Sequence, residues 1–143
     1  MQENADEPHA ELLAGALAGR AFATTTALAD AIRRALPRSI LDEERDNSVR
    51  RVFQALRIAV NEEFSALDTF LRNLPSCLNA GGRVAVLTFH SGEDRRVKKA
   101  FEAGLREGIY ADIAREVIRP TPVERRDNPR SASAKLRWVR KAG

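Results

Sequence analysis

The chain has 143 residues, 43% of them apolar, a formal net charge of +4 and one cysteine, Cys77. That length fits one domain, or a small domain with an appendage. The single cysteine excludes an internal disulfide, and no apolar run approaches the roughly 20 residues that span a bilayer. The first residues are polar and acidic, which is no secretory signal, so the expectation is a soluble, cytoplasmic protein. The basic excess gathers after Arg95, with Arg125, Arg126, Arg130, Lys135, Arg137, Arg140 and Lys141 crowding the end. Such a balance favours polyanionic partners.

Residues 1–8 read as a frayed end, and His9 as a surface residue. Residues 9–19 make a short Ala/Leu helix, softened by Gly15 and Gly19. Thr24-Thr25-Thr26 supplies N-cap candidates for a helix running to Leu36, with Leu28, Ile32 and Leu36 on one face and Pro37 as its stop. Residues 38–47 read as a charged loop. One long helix is then predicted from Ser48 to Leu74. Phe53, Leu56, Val60, Phe64, Leu67, Leu71 and Leu74 form its apolar stripe, and Arg50, Gln54, Arg57 and Asn61 a polar one. Pro75 and Asn79-Ala80-Gly81-Gly82 end it.

Val84–Phe89 is apolar on both faces and reads as a buried central strand with parallel neighbours. A helix follows from about Gly92, burying Val97, Ala100, Phe101 and Leu105. Residues 109–114 are ambiguous, Glu116–Ile118 is a candidate short strand, and residues 121–130 are an Arg-rich loop. Ala132, Ala134, Leu136 and Trp138 alternate with Ser133, Lys135, Arg137 and Val139. That is a half-buried strand, with Trp138 placed in the core. The fold class is α/β: the closing half of a doubly wound sheet with antiparallel edge strands, preceded by a helical subdomain. Residues 1–50 are assigned to the end of the helical part and residues 51–143 to the catalytic half.

The densest chemistry sits between strand and helix: His90, Ser91, Glu93, Asp94 and Arg95. In open α/β sheets ligands bind at the carboxyl ends of strands. Ser91 with Asp94 reads as an S-x-x-D capping box, and Glu93 and Asp94 suit the positive helix end. Asn128 and Arg130 lie on a loop entering the last strand, where a guanidinium can clamp a phosphate. Ser131 and Ser133 read as turn residues, Glu62 and Glu63 as ordinary helix surface, and Cys77 as an inert helix end. The basic tail suits an RNA backbone, or defends an edge strand against aggregation. No His, Cys or carboxylate set has metal-ligand spacing, and no G-x-G follows a strand.

Three segments together carry a family resemblance: Phe53-Gln54-Ala55-Leu56-Arg57-Ile58-Ala59-Val60-Asn61-Glu62-Glu63, Gly81-Gly82-Arg83 through Phe89-His90-Ser91-Gly92-Glu93-Asp94-Arg95, and Asn128-Pro129-Arg130-Ser131-Ala132-Ser133-Ala134-Lys135-Leu136-Arg137. In this order they resemble the C-terminal half of the bacterial 16S ribosomal RNA cytosine N4-methyltransferases. The resemblance implies an S-adenosylmethionine-dependent transfer to the exocyclic amine of a cytidine in the small ribosomal subunit. It implies catalytic roles near the pocket for His90, Ser91, Glu93 and Asp94. Gln54, Arg57, Asn61, Arg95, Asn128 and Arg130 become candidates for the RNA or the pocket wall. The family's cofactor loop has no counterpart here, so no cofactor-binding residue is assigned. Most of the adenosylmethionine site is expected in an N-terminal half, possessed in one longer chain or separately encoded. This chain alone is then expected to be catalytically incompetent. The alternative is a non-catalytic basic remnant that binds RNA or the ribosome. Two departures stand out: Gly92 replaces a usual leucine, and Asn47-Ser48-Val49-Arg50 replaces a His-Pro pattern.

Overall fold

Thr24 sets up the first well-defined helix start: its Oγ1 accepts from the Ala27 N–H at 3.1 Å. That bond satisfies one of the amides a helix start leaves without an internal partner. The computed structural model describes residues 5–143, in two compact units, one ending at Glu62 and one running from Glu63 to Gly143. Residues 1–4, part of the expected frayed end, lie outside the described residues.

The first unit holds α1 (Ala10–Leu17), α2 (Thr25–Ala35) and α3 (Asp42–Val60). Leu13, Ile32, Leu36, Val49 and Val52 form its core, with Leu28 packed against them. The expected Leu28/Ile32/Leu36 face is therefore the buried one. The charged stretch before Ser48 is mostly helix, not loop. Asp42, Glu43 and Glu44 occupy the first turn of α3, where negative charge complements the helix dipole. Arg45 explains the rest of the local charge. Its guanidinium donates to the carbonyls of Arg33, Pro37 and Ile40 at 2.7, 2.7 and 3.1 Å. Glu7 also departs from the frayed reading. It is buried, and its Oε1 accepts from Ser48 Oγ and from the His9 N–H, each at 3.0 Å.

The single helix expected from Ser48 to Leu74 is two helices. α3 ends at Val60, Glu62 takes a left-handed φ of 51°, and α4 runs over Glu63–Asn73. The buried residues of α3 are Ser48, Val49, Val52, Ala55 and Ile58. Leu56 is exposed and Val60 is 80% exposed, although both belong to the predicted stripe. Two overlapping apolar patterns at helical spacing were available in α3, and the smaller residues form the buried one.

The second unit continues from α4 through a 3-10 turn (Leu74–Cys77) to β1 (Arg83–Thr88), α5 (Ser91–Arg106) and β2 (Tyr110–Ile113). A short helix α6 (Pro122–Asp127), a second 3-10 turn (Pro129–Ser133) and β3 (Lys135–Lys141) complete it. Gly81 adopts a φ of +72°, which a side chain would strain, and turns the chain into β1. The sheet order is β1-β3-β2, and both pairings are antiparallel. Among the described residues β1 is thus an edge of the sheet, and its one partner, β3, runs antiparallel where a parallel neighbour was expected. A continuous apolar strand is compatible with either position, because composition carries no direction. Ile118 does bridge antiparallel to Leu136, as the short-strand reading expected. The Arg-rich stretch contains α6, capped by Thr121 Oγ1 accepting from the Glu124 N–H at 3.1 Å.

Val97, Phe101, Leu71, Leu74, Tyr110 and Val139 form the core of this unit, with Val84, Val86 and Ile113 packed on it. The alternation in β3 is real but opposite in phase to the expected one. Arg137 and Val139 are buried, while Trp138 is only half-buried and sits with Ala85 and Leu136 on the other face. Among the described residues no helix is long and apolar enough to cross a membrane.

Candidate active site at the carboxyl end of the first strand

The chain leaves β1 at Thr88 and enters α5 at Ser91, so Phe89 and His90 form the whole connection. His90, not Ser91, is the N-cap. Its backbone is extended, and its Nδ1 accepts from the Glu93 N–H at 3.4 Å. Glu93 reaches back: its Oε2 accepts from the Phe89 N–H at 3.0 Å. Its Oε1 lies 3.3 Å from His90 Nε2. The expected Ser91/Asp94 box is therefore replaced by a reciprocal His90/Glu93 arrangement one residue earlier. The reason is geometric: the last extended residue is the one whose side chain faces the first-turn amides.

The Phe64 ring packs against the imidazole, with centroids 5.8 Å apart. The Arg96 guanidinium lies 3.7 Å from the Phe64 centroid and pairs with Asp68 at 3.4 Å. Gly92 makes room for this ring. A Cβ there would stand 2.7 Å from Phe64 Cζ. The departure from the usual leucine thus has a steric counterpart in this chain.

Glu63, at the first position of α4, completes the group. One ligand-type atom from each of Glu63, His90 and Glu93 falls within 4.8 Å of the others. Two carboxylates and an imidazole are donors of the kind that hold cations. A metal-bound histidine, however, turns its other ring N–H outward as a donor. Here Nδ1 accepts, which puts the neutral ring's proton on Nε2, a buried atom 3.3 Å from Glu93 Oε1 but not aligned for a hydrogen bond to it.

Asp94 does something different from its neighbours. Its carboxylate takes two bonds from Arg137 on β3, Nε to Oδ1 at 2.7 Å and Nη2 to Oδ2 at 3.2 Å. Burial pushes the Asp94 carboxyl up. The Arg137 bonds and charge, helped by Lys135 and Arg119, outweigh that and hold it below the usual carboxylate range. Arg137 is 8% exposed, so the pair ties the first turn of α5 to the middle strand.

The other sequence-predicted residues are spread over both units. Gln54, Arg57 and Asn61 belong to the first unit, with Gln54 half-buried and the other two exposed. Ser91 and Arg95 are exposed on α5. Asn128 and Arg130 are exposed beside α6, and the backbone bonds of Asn128 are local, to Glu124 and Ser131. Sequence reasoning missed two residues. Glu63 read as ordinary surface, and its one signal is that it precedes Phe64, the ring that packs on His90. Arg137 read as the polar face of a strand, when it is a buried guanidinium.

The MraW methylase family matches residues 3–142. The ribosomal RNA small subunit methyltransferase H 2 of Alkaliphilus metalliredigens is 49% identical over 148 residues, 98% of this chain and 42% of the relative. The ribosomal RNA small subunit methyltransferase H 1 of Lachnoclostridium phytofermentans is 47% identical over 148 residues, 98% of this chain and 40% of the relative. That of Agathobacter rectalis is 45% identical over 150 residues, 99% of this chain and 43% of the relative. The chain thus spans about two fifths of the length of these relatives.

Proposed function

This chain belongs to the MraW methylase family, and on that premise we propose that it provides the closing part of an S-adenosylmethionine-dependent methyltransferase. The substrate in this reading is the N4 amine of a cytidine in 16S ribosomal RNA, and the setting is the cytoplasm. The names of the relatives support a small-subunit RNA target. The observation that carries the reading is the carboxylate–imidazole cluster at the carboxyl end of β1, where an α/β enzyme places its ligands.

Two carboxylates suit the cationic end of adenosylmethionine and the amine it methylates. For the nucleoside end the described residues offer no glycine turn after a strand, so we place most of that site in an N-terminal half, continuous or separately encoded. In this arrangement the remaining strands of a doubly wound sheet add to the free edge of β1. Residues 1–50 close a helical insertion and residues 51–143 the catalytic domain. When bound, the cofactor supplies an electrophilic methyl group on a sulfonium.

His90 and Glu93 hold and move the amine proton at the pocket, and Ser91 orients the amine. Asp94 keeps the α5 start in place through Arg137. Gln54, Arg57, Asn61, Arg95, Asn128 and Arg130 contact the RNA or the pocket wall. Exposed Arg125, Arg126 and Arg130 on and beside α6 suit a phosphate backbone.

That same exposed basic segment favours a second reading, a non-catalytic RNA-binding remnant. One experiment separates them. The purified chain is titrated with adenosylmethionine by calorimetry, alone and mixed with the N-terminal half of a family member, and methyl transfer to small-subunit RNA is followed in both. The methyltransferase reading expects binding and transfer only in the mixture, with transfer lost in His90→Ala. Salt-sensitive RNA binding with no cofactor binding in either arm establishes the remnant.

A further inference from the structure

Trp138 stands on the open face of the sheet, in register with Ala85 of β1. Alanine is too short to cover an indole, and the ring borders a cavity of about 520 Å³. That volume lies in the range of small-molecule sites. Two residues further along β3, Arg140 stands opposite Arg83, and both line the same cavity. Like charges directly opposite each other on neighbouring strands cost stability. Among the described residues neither guanidinium has a carboxylate partner. Asp112, across from Arg140 on β2, accepts from the Ile113 N–H at 3.0 Å and pairs with neither.

Two unpaired planar cations beside an uncovered aromatic ring match a nucleotide of a single strand. The guanidiniums suit its phosphate and the indole suits its base. A helix laid on this face would cover the indole too, but unless it brought carboxylates to both arginines it would bury cations without partners. Each nucleotide of an RNA strand carries both the ring and the anion. Leu136 lines this cavity and also a smaller one beside Arg119 and Glu124, so the surface runs on to α6 and its arginines.

We propose that the open sheet face is a platform for single-stranded RNA, with one phosphate held between Arg83 and Arg140 and the neighbouring base stacked on Trp138. This goes beyond methyl transfer and rests on the proposed function only for the choice of RNA. Arg83 opens β1 and His90 follows its end, so at about 3.3 Å per residue the platform lies roughly 20 Å from the candidate active site. It therefore grips the strand away from the reacting base and sets affinity rather than chemistry.

Trp138 is the single tryptophan of the chain, so its emission reports on the platform directly. The purified chain is titrated with a short oligocytidylate and, in parallel, with duplex RNA of equal length. Stacking should quench the emission by about half with the single strand and leave it nearly unchanged with the duplex. Arg83→Gln combined with Arg140→Gln should weaken binding about tenfold and lower the slope of log K against log salt by about 0.7, the share of one phosphate. Trp138→Leu, followed by the anisotropy of labelled RNA, should weaken it about tenfold with little change in thermal unfolding, and Trp138→Phe should restore most of it. Equal quenching by the duplex overturns single-strand stacking. RNA binding that leaves the emission unaltered overturns the platform and leaves the RNA reading standing, whereas no RNA binding refutes both. With the N-terminal half of a family member added, the quench by RNA should persist. If that half itself shifts the emission and abolishes the quench, the face is a contact between parts of the enzyme and not an RNA site.

Discussion

The two faces of the small sheet are built from similar residues and have opposite fates. On one face Val84, Val86 and Val139 meet Val97, Phe101 and Tyr110 in the core of the second unit. On the other, Ala85, Leu136 and Trp138 line a shallow cavity of about 520 Å³ with Arg83, Asp112 and Arg140, and Leu87 is 54% exposed. The strands are equally apolar on both sides, so hydrophobicity does not decide which side is covered. The helix that follows β1 does: α5 folds back over one face, and the side chains of that face lose their water. An apolar strand therefore marks a burial capacity, and the chain connection chooses how much of it this unit uses.

The contrast is sharpest in substitutions that remove apolar volume. Phe101→Ala, on the covered face, should cost about 3–5 kcal/mol in urea unfolding, through lost transfer energy and a cavity. A loss under about 1 kcal/mol would mean that the covered side is not the main core.

Arg137→Met on the same face should cost about 3 kcal/mol, because it leaves the Asp94 carboxylate partly buried without its guanidinium. That pair also sets an acid limit. The folded Asp94 carboxyl lies below its unfolded value of about 3.9. Its stabilisation is therefore fully present above that pH and is lost as pH falls through the lower folded value. Asp94→Asn should flatten the acid limb of the stability profile below about pH 4. An unchanged limb would show that the ion pair does not couple to folding.

Gly92→Leu restores the residue usual in the family and should cost about 1–3 kcal/mol, through collision with the Phe64 ring. In a Phe64→Leu background the cost should shrink, and a purely additive double mutant would refute the steric coupling. Trp138→Ala, on the open face, should cost the least, about 1 kcal/mol or less. A loss as large as that of Phe101→Ala would erase the comparison between the faces.

Local features were legible in the sequence where local physics decides them. Thr24 caps α2 as its hydroxyl and position predict. The Gly81-Gly82 turn, the strand after it and the helix near Gly92 stand where glycine, apolar and acidic residues put them. The polar group at that junction was legible too, and its cap was misread by one residue because which residue stays extended is a backbone matter. The break at Glu62 was hidden because Leu56 and Val60 continue a helical pattern that α3 does not bury.

What the sequence determined by itself is the order of the elements, their punctuation, and a strand-to-helix junction carrying His90, Glu93 and Asp94. These follow from interactions among residues a few positions apart, which spacing records. Tertiary structure alone decided that β3 lies between β1 and β2, that Arg137 rather than Trp138 is buried, and that Glu63 joins His90. Each of these is a meeting of residues distant in the chain. Periodicity shows that such a residue has a face, but only the folded packing supplies what that face meets.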